Sequence, residues 1–164
     1  MRQATVINLF RRLRQVHAIE HATVALLLER RGGRRMRVAG LSHPWGFLLF
    51  SPTSDTEMVR MAADDAVRRL QAGQSHLALS DFCGTNLAIS AVLATLFVRT
   101  ASWRGGSFSR SVVAACAALV LAQPAAHTVQ RSVTTLADVR DRSAGQARRL
   151  GGWSTGTIHH VRIS

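Results

Sequence analysis

Two apolar stretches decide the fold of this protein: LAISAVLATLFV at residues 87–98 and VVAACAALVLAQPAA at residues 112–126. Neither stretch contains a charged side chain, and a short loop from Arg99 to Arg110 separates them. Two long apolar stretches joined by a short loop are typical of a helical hairpin. We therefore expect two helices that run back to back from this part of the chain.

The length of this hairpin bears on its environment. Each apolar stretch by itself is shorter than the roughly 20 residues with which a helix crosses a bilayer. Flanks without any charge except Arg99 and Arg110 extend the stretches to residues 84–100 and 109–128, near the lower limit for a span if these two arginines reach the lipid headgroups. We therefore predict a membrane hairpin over residues 84–128, with a buried hairpin of a soluble protein as the alternative.

The rest of the chain is strongly basic. The chain has 164 residues, 47% of them hydrophobic, so a single domain over residues 1–164 is the simplest prediction. All 21 basic side chains are arginine, so the formal charge of +12 cannot be lost at physiological pH. Within the hairpin, only Arg99, Arg104 and Arg110 are basic, and they lie in its loop. Basic segments around an uncharged insert favour anionic membrane lipid as a partner.

Composition argues against two other classes of protein. The arginine cluster at residues 31–37 could contact phosphates, but the chain has few aromatic side chains and no recognisable module that binds nucleic acid. Cys83 and Cys116 form no disulfide framework, and the arginine-rich N-terminus does not resemble a cleaved signal peptide. We therefore expect neither a nucleic-acid-binding protein nor a secreted one, and the sequence is compatible with a homo-oligomer.

Periodicity and stop signals predict the elements before the hairpin. Residues 5–31 are typical of one amphipathic helix that ends at Gly32-Gly33. Alternation over residues 35–38, a turn-like stretch from Gly40 to Gly46 and the apolar run at residues 47–50 together predict a short β-hairpin.

A capping box formed by Ser54 and Glu57 predicts a second helix that runs to about Ala72. After the apolar hairpin, residues 133–150 predict a third amphipathic helix and residues 156–163 a closing strand. The predicted fold is therefore mostly α with a small β element. Its order is an amphipathic N-terminal helix, a short β-hairpin, a second helix, the apolar helical hairpin and an amphipathic C-terminal segment.

The N-terminal helix carries the pattern H-x-x-E-H at His17, Glu20 and His21. At this spacing two imidazoles and a carboxylate share one helix face. Neutral imidazoles are good zinc ligands, and the neighbouring carboxylate can take a proton from metal-bound water. The motif thus predicts a site for zinc or a similar divalent metal with Glu20 as the catalytic base, or else a hydrogen-bonded cluster without metal. The histidines continue an apolar stripe that we expect to face the core, formed by Phe10, Leu13, Val24 and Leu28.

A third ligand is needed for such a site, and Cys83 and Asp81 are the main candidates. Both lie just before the first apolar stretch, where Thr85 or Asn86 could cap the next helix. A thiolate at a helix N-terminus is stabilised by the local dipole, although a small buried side chain is the alternative interpretation of Cys83. Further candidates are His43, His76 and one member of the His159-His160 pair, which point to opposite faces of a strand.

Four segments together resemble a bacterial family, domain of unknown function 6391. They are HAIEHATVALLLER at residues 17–30, the Gly46-Phe47 pair, RL-x-x-G at residues 69–73 and LALSDFCGTN at residues 77–86. The resemblance covers roughly residues 15–130. What the family implies carries over to His17, Glu20 and His21 on the helix, and to Cys83, Gly84, Thr85 and Asn86 in the second motif.

One position departs from the family pattern. A histidine commonly stands two residues before the cysteine, where this chain has Asp81. Aspartate can also bind a hard or borderline cation, so the departure affects the ligand set and the preferred metal. The helix motif and the later Cys83-Gly84-Thr85 are also remotely similar to the YqhQ-like membrane proteins of domain of unknown function 1385, which are described as candidate metal-dependent enzymes.

Two functions from different classes follow from these observations. The first is a membrane-associated metalloprotein, hypothetically a zinc-dependent hydrolase, in which His17, His21 and Cys83 or Asp81 hold the ion. The second is a non-enzymatic membrane scaffold or interaction protein with a structural His/Glu/Cys cluster. In either case we expect the bacterial inner membrane. Arginines flank the hairpin more heavily on the side of the chain termini than in its loop, which favours cytoplasmic termini.

Overall fold

The computed structural model divides the chain into two compact units. The sheet unit comprises Met1–Leu79 and Val133–Ser164, and the hairpin unit comprises Ser80–Ser132. The prediction of a single domain over residues 1–164 stays a prediction. The structure describes residues 2–30, 37–103, 105, 107–154 and 156–164, with residues 2–4 as backbone only.

A four-stranded antiparallel sheet and the helices packed on it make up the sheet unit. The helices are α1, Arg2–Arg30, and α2, Thr56–Gln71, followed by a 3₁₀ helix at Ser75–Ala78. The strands are β1, Ala39–His43, β2, Gly46–Ser51, β3, Ala144–Trp153, and β4, Gly156–Ile163, in the order β1-β2-β4-β3. The predicted architecture, mostly helical with a small β element, is therefore confirmed.

Helix α1 buries a face that differs in part from the predicted stripe. Val16, Ile19 and Leu26 recur at helical spacing and are buried in the core. Phe10, by contrast, is 51% exposed, so the prediction that it faces the core is wrong. The reason is that burial along α1 begins only at Gln15, because the residues before it lie outside the part of the helix that packs on the core.

The β-hairpin is present, but its first strand lies later in the chain than predicted. Strand β1 is formed by Ala39–His43, part of the stretch that was expected to be a turn, and it pairs with β2 across Pro44 and Trp45. Residues 35–36 of the predicted strand lie outside the described residues, and residues 37–38 are not in a strand. Small and turn-forming residues suggested a loop, whereas pairing with β2 satisfies the backbone of this segment.

Helix α2 begins with a different cap from the one expected. Asp55 is the N-cap, and its Oδ1 accepts a hydrogen bond from the backbone N–H of Met58 at 2.9 Å. The predicted box of Ser54 and Glu57 is therefore wrong by one residue. Glu57 instead forms an ion pair with Arg60, which lowers the pKa of the carboxyl group.

The third helix that was predicted for residues 133–150, after the apolar hairpin, is wrong. A π-helical turn at Gln130–Thr134 is followed by irregular chain and then by β3. Strand β3 pairs with β4, whose bounds match the predicted closing strand. Leu150, which suggested a helix face, is exposed on β3. This segment is a strand because its backbone pairs with β4, and hydrophobic periodicity cannot detect such pairing.

The hairpin unit contains α3, Gly84–Ser102, and α4, Phe108–Val129. Both helices are long enough and apolar enough to cross a membrane. Large side chains on them are exposed, among them Leu87 and Val120, each at 75%. The helical hairpin is thus confirmed, and its exposed apolar surface favours a membrane environment over the core of a soluble protein.

Candidate metal centre

His17 and His21 lie one turn apart on α1 within the sheet unit. Their ring centroids are 4.3 Å apart and the ring planes are inclined by 62°. His21 is buried and His17 is half-buried. The spacing i, i+4 brings the two side chains together, as the sequence predicts.

Each imidazole is held through Nδ1 by a backbone carbonyl from another element. His17 Nδ1 lies 2.9 Å from the carbonyl oxygen of Thr134, and His21 Nδ1 lies 2.8 Å from that of Ala78. A carbonyl oxygen can only accept, so Nδ1 carries the proton in both rings. In the neutral imidazole, Nε2 is then the atom with the lone pair. This tautomer is the one that a histidine needs in order to bind a metal through Nε2.

Both carbonyls come from the ends of short helical turns. Ala78 ends the 3₁₀ helix, and Thr134 ends the π-helical turn at Gln130–Thr134. The last carbonyls of a helix have no intrahelical partner, so they can accept from a side chain. Among the described residues, the buried hydroxyl of Thr134 has no hydrogen-bond partner. An orphaned hydroxyl on the residue whose carbonyl holds His17 fits a site that takes up a further polar group, such as a water or a hydrated ion.

Glu20 is buried on the same helix and faces β1. Ser42 donates its hydroxyl proton to Glu20 Oε2 at 2.5 Å. Gly40 lies so close to the carboxyl group that a Cβ at this position would overlap Glu20 Oε1. The carboxylate is therefore fixed by the strand on which it packs, a contact that the sequence motif does not reveal.

Cys83 lies in the hairpin unit, at the N-terminus of α3. It is the N-cap residue, and its Sγ accepts a hydrogen bond from the backbone N–H of Thr85 at 3.4 Å. Sequence reasoning assigned the cap to Thr85 or Asn86, whereas Cys83 itself occupies that position. The helix dipole and the neighbouring amide both favour the thiolate form of a cysteine at an N-cap.

A buried amide network fixes the loop that precedes Cys83. Asn86 Nδ2 donates to the carbonyl oxygens of Ser80 and Asp81 at 3.0 and 2.6 Å. Gln130 donates to Asn86 Oδ1 and to the Ser80 carbonyl, and its Oε1 accepts from the Ser80 N–H at 3.0 Å. Sequence reasoning missed Gln130. The signal was an amide side chain directly after the apolar helix α4, because a buried amide needs hydrogen-bond partners.

The other predicted metal ligands lie at several separate places in the structure. Asp81 Oδ1 lies 2.8 Å from Nε2 of His127, in the last turn of α4. Asp81 stays a predicted ligand. His159 and His160 lie on opposite faces of β4, with His159 fully buried. His160 contacts His43, and His76 is exposed on the 3₁₀ helix.

The fold and the site together define a small α-helical and β-sheet protein with an apolar helical hairpin and a histidine pair held by backbone carbonyls. The chain belongs to the family described as "Domain of unknown function (DUF6391)", whose model matches residues 12–146. It is also 35% identical over 98 residues to an uncharacterised protein of Picosynechococcus sp. (strain ATCC 27264 / PCC 7002 / PR-6). This match covers 56% of the chain and 47% of the relative, so the chain spans about half of that protein. No solved structure matches the chain.

Proposed function

We propose that this protein is a membrane-associated metalloprotein in which His17 and His21 bind a divalent ion, zinc or a similar metal, through Nε2. The observation that carries the proposal is that backbone carbonyls hold both Nδ1 atoms, which selects the ligating tautomer in both rings. Two such bonds on adjacent rings also orient the rings before the ion arrives. A preformed pair of this kind lowers the ordering cost of binding.

Cys83 is the third ligand in this proposal. Two imidazoles and one thiol are ligand types that could hold a metal ion. Cys83 follows Ala78, whose carbonyl holds His21, by five positions. An extended chain of that length spans at most about 17 Å, which limits how far Cys83 can lie from Ala78. Asp81 is the weaker candidate because its Oδ1 is bound to His127.

The role of Glu20 distinguishes a hydrolase from a non-enzymatic scaffold whose His/Glu/Cys cluster is structural. In the hydrolase, Glu20 would act as the general base toward a water, as in other H-x-x-E-H sites, and the ion held by the histidines would supply a Lewis acid. The bond from Ser42 and the close packing on Gly40 support the second candidate function, a membrane scaffold in which Glu20 joins α1 to β1. The bacterial inner membrane, cytoplasmic termini and contact of the arginines with anionic lipid belong to both proposals.

Metal content of the purified protein tests the metal site. Untagged full-length protein in detergent is loaded with Zn²⁺, desalted and measured by inductively coupled plasma mass spectrometry. We expect about one ion per chain, and a loss of this ion in His17→Ala, His21→Ala and Cys83→Ser. His76→Ala, which changes an exposed histidine, is the control and keeps the ion. Equal zinc in the wild type and in His21→Ala, or none in either, contradicts the proposal.

Glu20→Gln then separates the two functions. In a hydrolase, this variant keeps its zinc and loses turnover of ester or peptide probes, because only the base is removed. In a scaffold, the wild type has no turnover to lose, and Glu20→Gln changes only the thermal unfolding midpoint. Measurable hydrolysis that persists in Glu20→Gln contradicts the role of Glu20 as a base.

A further inference from the structure

A second pair of histidines lies on the outer face of the sheet. His43 on β1 and His160 on β4 flank β2, and their Nε2 atoms are 3.1 Å apart with nearly parallel rings, inclined by 8°. Both side chains are half-buried. Gly46 in β2 is the register partner of His43. A Cβ at residue 46 would collide with the backbone of Val161, so glycine is required where the chain turns toward this pair.

We infer that His43 and His160 form a second metal site, separate from His17 and His21, that binds a divalent transition metal through both Nε2 atoms. Histidine nitrogens lie about 2.0–2.1 Å from such an ion. Two nitrogens 3.1 Å apart subtend about 100° at an ion placed at this distance. This angle lies between the square-planar and tetrahedral values. Because the ring centroids are 5.2 Å apart, the two Nε2 atoms face each other almost in line and share a hydrogen bond, which the ion replaces. Both imidazoles therefore turn about their side-chain bonds to bind one ion, while the strands keep their register. Water completes the coordination at this half-exposed position.

The surroundings of the pair determine which metal it prefers. The Trp45 backbone N–H lies 3.3 Å from His43 Nδ1, a long bond that is given up when the metal takes Nε2 and the proton moves to Nδ1. The pKa of His160 is lowered mainly by burial, then by the nearby His43 and by the charge of Arg162. Arg148 is the register partner of His160 on β3. These cations oppose a further positive ion. The site therefore needs a metal with a strong preference for imidazole, and Cu²⁺ has the highest affinity in the divalent series.

The test uses a protein without the first site, so that its outcome does not depend on the proposed function. Untagged protein with His17→Ala, His21→Ala, Cys83→Ser and Cys116→Ser is titrated with Cu²⁺ by calorimetry. Electron paramagnetic resonance counts the nitrogen ligands. We expect roughly one ion per chain with two nitrogen ligands, and affinity weakened at least about tenfold when His43→Ala or His160→Ala is added. His76→Ala is the matched control and leaves the affinity unchanged.

Binding that is absent, or that is the same in the presence and absence of His160, overturns the inference. If the fourfold variant does not fold, as judged by circular dichroism, the comparison is made in the wild-type background. There, His160→Ala should lower the number of bound Cu²⁺ ions by about one, while His76→Ala should not. An unchanged number overturns the inference in this background as well.

Discussion

Ser42 donates a hydrogen bond to the buried carboxylate of Glu20, and this bond joins β1 to the helix that carries His17 and His21. The buried carboxylate thus has a hydrogen-bond donor in a strand of the same unit. The position of Glu20 relative to the two imidazoles depends on this contact as much as on helix geometry. Changes in β1 therefore test how the site is supported.

Ser42→Ala should lower the free energy of unfolding by about 1.5–3 kcal/mol, since it leaves a buried charged group without its donor. The measurement is thermal or denaturant unfolding of the full chain, followed by tryptophan fluorescence. Ser75→Ala, which removes an exposed hydroxyl, is the control and should change stability by less than about 0.5 kcal/mol. Equal effects of the two substitutions would show that the Glu20 contact does not contribute to stability.

Gly40→Ala should destabilise the protein by about 1–3 kcal/mol, because the new methyl group occupies the space of the Glu20 carboxyl. The same substitution in a Glu20→Ala background should cost much less, since the obstructing side chain is gone. Unfolding of the two single variants and the double variant measures this coupling. Gly151→Ala, whose Cβ would meet open space, is the control. Additive effects of Gly40→Ala and Glu20→Ala contradict the prediction.

His159 should make the sheet unit less stable in mild acid. Burial lowers the pKa of His159 below its ordinary value of 6.5, and the charge of Arg149 lowers it further, against opposing effects of Ser54 and Asp55. As the pH falls below about 6.5, the unfolded chain binds a proton that the native chain resists, so stability decreases until the pH reaches the lower native pKa.

His159→Gln should reduce this loss of stability between pH 7.5 and pH 5, measured as the unfolding midpoint at each pH. The exposed His76→Gln variant should keep the wild-type dependence. If His159→Gln also keeps the wild-type dependence, His159 is not the group that couples folding to pH.

Gln130→Ala should weaken zinc binding by about 10–100-fold if Cys83 is the third ligand, because the amide network fixes the loop before Cys83. Zinc competition with a chromophoric chelator measures the affinity. Gln123→Ala changes an exposed amide on α4, the helix that precedes Gln130, and should have no effect. Unchanged zinc affinity in Gln130→Ala would show that the amide network does not support the metal site.

Val92→Arg should impair membrane insertion of α3, since Val92 lies near the middle of the helix and is exposed. An arginine at the centre of a span costs about 2.5–3.5 kcal/mol. Carbonate extraction of membranes from expressing cells should recover less of this variant than of the wild type, while Val92→Leu should match the wild type. Equal recovery of all three would argue against α3 as a span.

Patterns within single segments predicted much of this protein. The apolar stretches around residues 87–98 and 112–126 predict α3 and α4, and the helix predicted for residues 5–31 agrees with α1, Arg2–Arg30, within three residues at each end. The i, i+4 spacing of His17 and His21 predicts that the two imidazoles meet. These features depend on hydrophobic periodicity and helix geometry, which are local properties of the sequence.

Contacts between segments that are distant in the chain determined the features that local patterns did not predict. Residues 144–153 form β3 because β4 offers a partner, and Gly40 lies in a strand against Glu20 although its neighbourhood suggests a turn. The tautomers of His17 and His21 depend on the carbonyls of Thr134 and Ala78, 117 and 57 positions away in the chain. The sequence by itself determined helices α1 to α4 and the histidine motif. Only the tertiary structure decided what holds that motif, because backbone acceptors carry no signature in the sequence.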